Sequence, residues 1–230
     1  MKLSILVPVY NEENTINAVL IKLLSLRLPC KKEIIIIDDG STDSTKAKIS
    51  QFPSSKFKTI RHTTNLGKGE AIKSGIKTAS GDYILIQDAD LEYNPGEIKK
   101  LLKPILSKGK LGKVAVYGTR FKYKQVKISP IYYFGNMFLT FLTNFLYKTK
   151  LTDMETGYKL LPTEFMKSTR LISHYFDIEP EITAKLIKNN IPIIEVPISY
   201  KGRSHLAGKK LTIADAFAAI KILVYLKFTS

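Results

Sequence analysis

Asp88, Asp90 and Glu92 follow the apolar run Tyr83-Ile84-Leu85-Ile86, spaced two residues apart. Side chains of an extended chain alternate with period two, so an extended backbone through this stretch would put all three carboxylates on one side. Carboxylates taken out of water without partners are costly, so such a group calls for a cation or for open solvent. Hard oxygen donors suit Mg²⁺ or Mn²⁺, which one or two carboxylates hold together with a substrate phosphate. A D-x-D pair alone also fits a solvated acidic turn, and the elements around it have to decide.

A second cluster is basic. Lys201 to Lys210 carries Arg203, Lys209 and Lys210 among Gly202 and Gly208. Such a loop can fold onto a dianion and offset the charge of a leaving group. His205 within it reads as a surface residue.

The elements that position these groups follow from apolar periodicity. Leu3 to Val7, Glu33 to Ile37, Thr59 to His62, Ile84 to Gln87 and Val114 to Gly118 read as strands. Helical spacing lies between them: Ile16, Val19, Leu20, Leu23 and Leu24 first, then a stretch to about Ser50, then Asn65 to about Thr78, then Pro95 to about Ser107. Asn11 is expected to cap the first of these helices, and Ser41 or Thr42 the second. Continuous apolar strands alternating with helices predict an α/β fold, a mostly parallel sheet covered on both faces. Ligands of such open sheets bind beyond the carboxyl ends of the strands. Glu12 follows the first strand, Asp38 and Asp39 the second, Asp88 and Asp90 the fourth. Three strands delivering carboxylates to one edge point to a catalytic or nucleotide site.

The second half is less regular. Ile128 to Tyr147 reads as an amphipathic helix too interrupted to span a membrane. Glu179 to Lys188 reads as a helix and Pro192 to Tyr200 as an edge strand, its prolines suiting that place. Thr212 to Phe228 reads as a last amphipathic helix. A single domain over residues 1–230 is expected, with no linker, no internal repeat and no C-terminal membrane helix. The N-terminal apolar run is broken by Pro8 and reads as a strand rather than a signal peptide.

Thirty-six Lys and Arg against 20 Asp and Glu leave a formal charge of +16. That field favours phosphorylated substrates or an acidic membrane surface; with no RNP-like motif or zinc-finger spacing, nucleic acid is not the expected partner. One cysteine, Cys30, excludes an internal disulfide and fits a reducing compartment. A nucleotidyltransferase could share the sheet and the acidic ligands. It would need a glycine-rich loop where this chain has Pro8-Val9-Tyr10-Asn11-Glu12. A basic module that binds nucleotide sugar or nucleic acid without turnover is the alternative from another class.

Four motifs occur in order: Val7-Pro8-Val9-Tyr10-Asn11-Glu12, Asp38-Asp39-Gly40-Ser41-Thr42-Asp43, Asn65-Leu66-Gly67-Lys68-Gly69 and Asp88-Ala89-Asp90. This set resembles the family 2 glycosyltransferases of the GT-A fold, and within them the dolichyl-phosphate mannose synthase branch. The resemblance continues from Thr152-Asp153 to Lys210. It implies that Pro8, Tyr10, Glu12, Asp38 and Asp39 frame the nucleoside, with Asp39 accepting from the base. It implies that Asp88, Ala89 and Asp90 meet the metal–diphosphate unit and that Lys68 and Arg120 face phosphate. Arg203, Lys209 and Lys210 would belong to a mobile loop, residues 201–210, closing over the diphosphate. Glu92 stands where the mannose synthases carry glutamine, and its carboxylate would serve equally as a third metal ligand. Asp153 falls in the acceptor region, with Glu155 nearby.

The resemblance thus implies metal-dependent, inverting sugar transfer from a nucleotide-diphosphate donor. Residues 1–120 would bind the donor and residues 121–230 the acceptor, a polyprenyl (dolichyl or undecaprenyl) phosphate. A lipid phosphate needs no general base; a saccharide or other hydroxyl acceptor would, and Asp153 is then the first choice. A lipid acceptor also implies a peripheral place at the cytoplasmic face of a membrane, reached by the chain's own helices or through a membrane partner.

Overall fold

The computed structural model describes residues 1–107, 113–121, 129–203 and 212–229. Seven strands form one sheet: β1 (Lys2–Val9), β2 (Lys31–Asp38), β3 (Lys58–Arg61), β4 (Tyr83–Ile86), β5 (Ala115–Thr119), β6 (Lys159–Pro162) and β7 (Ile193–Pro197). Their order is β3-β2-β1-β4-β6-β5-β7. β1 pairs in parallel with β2 and β4, β2 with β3, and β5 with β7; β6 alone is antiparallel to its neighbours β4 and β5. Every strand except β6 therefore ends at the same edge. β7 lies at the margin, as its prolines require.

Period-two alternation divides the core. Leu3, Ile5, Val7, Ile34, Ile36 and Leu85 face one side, packing with Val19, Leu20 and Leu23 of α1 (Ile16–Ser25) and with Leu101 and Leu102 of α4 (Ile98–Ser107). Leu6, Ile35, Ile37, Ile84 and Ile86 face the other side, against Ile72 and Ile76 of α3 (Lys68–Thr78), Phe165 of α6 (Thr163–Ser168) and Ile182 of α7 (Ile178–Lys188). Burying apolar surface on both faces, at roughly 25 cal/mol per Å², is what the uninterrupted Ile34-Ile35-Ile36-Ile37 run is for. A third cluster, with Leu139, Met154, Ala184, Ala219 and Leu223, joins α7 to α5 (Pro130–Tyr147) and α8 (Ile213–Phe228).

Two caps differ from expectation. Asn11 does not cap α1: it sits at φ 48°, and its Oδ1 accepts the Thr42 N–H at 2.8 Å, joining the loops after β1 and β2. α1 starts only at Ile16, behind Thr15. The next helix, α2 (Thr45–Ile49), is one short turn preceded by Ser44, because Ser41 and Thr42 are drawn into that loop pairing.

Candidate active site

The register of β1 on β2 pairs Val9 with Asp38, so both strands stop together. Beyond their ends and that of β4 opens a cavity of about 780 Å³, lined among others by Pro8, Tyr10, Glu12, Asp39, Asp88 and Asp90. Ala89 and Lys68 join this wall. Asp38 lies outside it: buried, it accepts the Ser41 N–H at 2.9 Å and faces Arg61 at 3.5 Å. Asp39, expected to accept from a base, takes the Leu66 and Gly67 N–H groups at 3.0 and 2.8 Å and contacts His62 Nδ1 at 2.6 Å. It holds the loop that enters α3, where Gly67 adopts φ 99°, a conformation that strains any side chain.

The backbone does not stay extended after β4. Leu91 turns left-handed at φ 63°, and Asp90 Oδ1 accepts the Glu92 N–H at 3.0 Å. This turn breaks the alternation that would have aligned Asp88, Asp90 and Glu92. Glu92 has both oxygens occupied, accepting from the Tyr200 hydroxyl and the Arg203 N–H at 2.5 Å each. The Arg203 guanidinium spans two strand ends, donating to both Glu12 oxygens at 2.9 and 3.0 Å and to Asp90 at 3.3 Å. Burial pushes Asp90 up to about 7, with Asp88 and Glu92 adding to the shift and Arg203 opposing it.

Asp88 faces Lys68 Nζ at 2.8 Å, and the same ammonium meets Glu179 of α7 at 3.2 Å. Glu179 also pairs at 2.7 Å with Lys159, which is fully buried at the start of β6. Burial alone would lower Lys68, but Asp88 and Glu179 outweigh it and hold the ammonium charged well above the usual lysine range. The chain Asp88–Lys68–Glu179–Lys159 thus runs from β4 to the reversed strand. Lys159 and Glu179 escaped the sequence reading; the signal was a lysine opening the otherwise apolar run Lys159-Leu160-Leu161.

On the far side, Arg120 and Asp153 form a buried two-pronged pair. Nε donates to Asp153 Oδ2 at 2.8 Å, a terminal nitrogen to Oδ1 at 2.7 Å, and the Arg120 backbone N–H to Oδ2 at 2.8 Å. The same terminal nitrogen reaches Asn136 of α5 at 3.3 Å, and the Tyr200 ring lies 5.1 Å from the guanidinium carbon. Tyr200 packs on Tyr93, and Tyr93 stacks on Tyr158. The Tyr93 hydroxyl accepts the Gly157 N–H at 2.9 Å. Tyr93 and Tyr200 line the cavity with Tyr158 buried behind them, and none was singled out in the sequence. Lys209, Lys210 and His205 lie outside the described residues.

With this geometry in place the comparisons are decisive. Residues 4–169 match glycosyl transferase family 2. The chain belongs to this family. A dolichol-phosphate mannosyltransferase of Pyrococcus furiosus is 31% identical over 222 residues, covering 92% of this chain and 61% of that one. The chain therefore spans about three fifths of that relative. The human dolichyl-phosphate beta-glucosyltransferase is 30% identical over 231 residues, covering 91% and 69%. Glucosyl-3-phosphoglycerate synthase from Mycobacterium tuberculosis, solved with Mn²⁺, UDP and phosphoglyceric acid, superposes with a TM-score of 0.72. That likeness covers 100% of this chain and 79% of that one at 19% identity, so it carries the fold alone. This family 2 glycosyltransferase has the expected GT-A fold, and among its described residues no helix is long and apolar enough to cross a membrane.

In the glycosyltransferase the strand-end carboxylates meet at one edge as the sequence implied, but most already hold a cation or a backbone N–H. Among the described residues no three His, Cys, Asp or Glu side chains form a ready-made metal cage. A hard divalent ion does not require one, since substrate phosphates and water complete its shell.

Proposed function

We propose that this enzyme transfers a hexose, with inversion, from a nucleoside diphosphate to a polyprenyl (dolichyl or undecaprenyl) phosphate, using Mg²⁺ or Mn²⁺. The observation that carries the lipid acceptor is the double use of α5 and α8. Tyr132, Asn136 and Leu139 of α5 and Asp215 and Ala216 of α8 line the cavity. The other side of α5 shows Phe134, Phe138, Phe141 and Phe145 to solvent at helical spacing, Phe145 being 73% exposed; α8 shows Phe217 and Phe228. A contiguous aromatic face beside a substrate cavity supports contact with lipid. The charge of +16 favours an anionic bilayer, which supports a peripheral place at its cytoplasmic face.

Asp88 and Asp90 would hold the metal ion; both are hard donors, and Arg203 and Lys68 now lie where cations are wanted. When bound, the ion supplies Lewis-acid stabilisation of the departing diphosphate. Arg203 would leave Asp90 and Glu12 to pair with phosphate, aided by Lys209 and Lys210. Pro8, Tyr10 and Glu12 would flank the nucleoside, with residues 1–120 taking the donor and residues 121–230 the acceptor. An ionised acceptor phosphate oxygen forms the new bond to the anomeric carbon as the carbon–oxygen bond to the diphosphate breaks, and no proton has to be removed. Asp153 fits this scheme: both its oxygens are engaged by Arg120, so it positions that guanidinium for phosphate rather than serving as a base.

Gly157 tests the metal assignment from the side. A Cβ there would fall 2.6 Å from Asp88 Oδ2 and 3.5 Å from Lys68 Nζ. Gly157→Ala is expected to displace Asp88 and weaken Mn²⁺-dependent nucleotide binding by about tenfold, in line with the 1–3 kcal/mol cost of overpacking. Titration calorimetry with and without Mn²⁺ reads this, and unchanged affinity would remove Asp88 from the metal site.

The function itself is tested with Mn²⁺, radiolabelled UDP- and GDP-hexoses and polyprenyl phosphate in anionic vesicles. Label entering the organic phase is expected from one donor, with the protein floating on the vesicles. Slow donor hydrolysis with no lipid label would keep the transferase and discard the lipid acceptor.

A further inference from the structure

Glu155 lines the cavity and has no task in the mechanism above. It stands in the turn between Asp153 and β6. Its Oε1 is screened from bulk solvent and has no hydrogen-bond partner. The neighbouring carboxylates are all engaged: Asp153 by Arg120, Glu179 by Lys68 and Lys159, Asp88 by Lys68, Asp90 and Glu12 by Arg203. An unpaired buried oxygen costs free energy unless something supplies a donor, and in a native protein it asks for an explanation. A phosphate oxygen only accepts and could answer this oxygen only if it carried a proton; a hydroxyl both donates and accepts and answers it in either state.

Position narrows the choice. In the sheet order, β2 and β6 are separated by β1 and β4. At about 4.8 Å per strand, the β6 turn lies some 14 Å along the edge from the Asp39 loop. The donor proposed above has three parts in sequence: a nucleoside, a diphosphate and a sugar. With the nucleoside at the ends of β1 and β2 and the diphosphate at the end of β4, the next place along the edge is the turn that enters β6. Burial pushes the Glu155 carboxyl up to about 7, Lys159 and Arg120 opposing this and Glu179 and Asp153 adding to it. A carboxyl poised in this way both donates to and accepts from a neutral polyol.

We propose that Glu155 recognises the sugar of the donor, binding a hydroxyl of a neutral hexosyl group through the oxygen that now has no partner. This rests on the glycosyltransferase reading of the site. It makes Glu155 a specificity-determining residue that contacts substrate without taking a proton from the acceptor.

The test compares nucleotide with nucleotide sugar. Calorimetry with Mn²⁺ gives the Kd of UDP, UDP-glucose, GDP and GDP-mannose for the wild type, Glu155→Gln and Glu155→Ala. For the pair that the wild type binds, Glu155→Ala is expected to weaken the sugar nucleotide by about tenfold, the value of one well-placed hydrogen bond. The plain diphosphate should stay within about twofold. Glu155→Gln, which keeps a donor and an acceptor, should recover most of the affinity and of kcat. Equal loss for diphosphate and sugar nucleotide would make the residue structural and overturn the proposal. Full binding by Glu155→Gln with kcat lost as in Glu155→Ala would overturn it in favour of a general base, and with it favour a hydroxyl acceptor. If the wild type bound none of the four ligands, the parent reading would fall, and this one with it.

Discussion

Asp90→Ala is expected to lower sugar transfer by at least about a thousandfold while the protein stays folded, because a metal ligand contributes several kcal/mol to transition-state charge stabilisation. The separation of fold from function follows from electrostatics. Burial, Asp88 and Glu92 together raise Asp90 to about 7, so its ionised form is disfavoured in the folded protein without metal. A carboxyl whose folded pKa lies above its unfolded value binds more protons in the folded state. Stability then falls as pH rises through the window from about 4 to 7. Removing the group should leave the metal-free protein as stable at pH 8 as the wild type, or more so. Arg203 keeps its two bonds to Glu12 in the variant, so the loop retains an anchor. Thermal unfolding with and without Mn²⁺ and nucleoside diphosphate provides the control. Ligand should raise the Tm of the wild type and not that of Asp90→Ala. Near-normal turnover in the variant would remove Asp90 from the metal site, and a collapsed Tm without ligand would refute the electrostatic account.

The edge of the sheet was legible in the chain because each strand there is a short apolar run that stops at a polar residue. Ile34 to Ile37 ending in Asp38-Asp39 needs no partner to be recognised. What lay beyond reach were contacts that depend on register. Lys159 meets Glu179 only because β6 runs against its neighbours and brings the start of that strand to the carboxyl-end edge. Nothing in Lys159-Leu160-Leu161-Pro162 states its direction. Turns failed similarly: Asn11 carries a capping side chain, yet the loop after β2 offers it a better partner in the Thr42 N–H. The aromatic stripe of α5 was visible as amphipathicity, but periodicity cannot say which side faces the core. The structure gives α5 a cavity side and a bare aromatic side, and that division supports a lipid acceptor better than the net charge does.

Asp153→Ala should be the most destabilising single change in the site. Its carboxylate is fully buried and balances Arg120, itself only 5% exposed. Breaking a buried ion pair from one side leaves an uncompensated charge and costs roughly 3–5 kcal/mol. For a chain of this size each kcal/mol lowers Tm by about 2–4 °C, so a drop on the order of 6–20 °C is expected by calorimetry. Replacing both partners, as Arg120→Met with Asp153→Leu, should recover most of that loss because no orphan charge remains. Nucleotide binding by Asp153→Ala then separates two roles that sequence left together. The loss of stability is expected in either role, but a general base would leave the Kd of the nucleoside diphosphate unchanged in Asp153→Ala below its Tm. A positioning residue also weakens diphosphate binding in Asp153→Ala, since the guanidinium that Asp153 aims is no longer held. The wider packing favours the second outcome. Glu195 of β7 holds the Thr152 and Asp153 N–H groups at 2.8 and 3.0 Å, and Asp153 in turn accepts the Arg120 backbone N–H at the end of β5. One carboxylate thus ties the turn that carries Glu155 to the strand that carries Arg120. Its loss should disturb sugar and phosphate recognition together, whereas loss of a base would spare both.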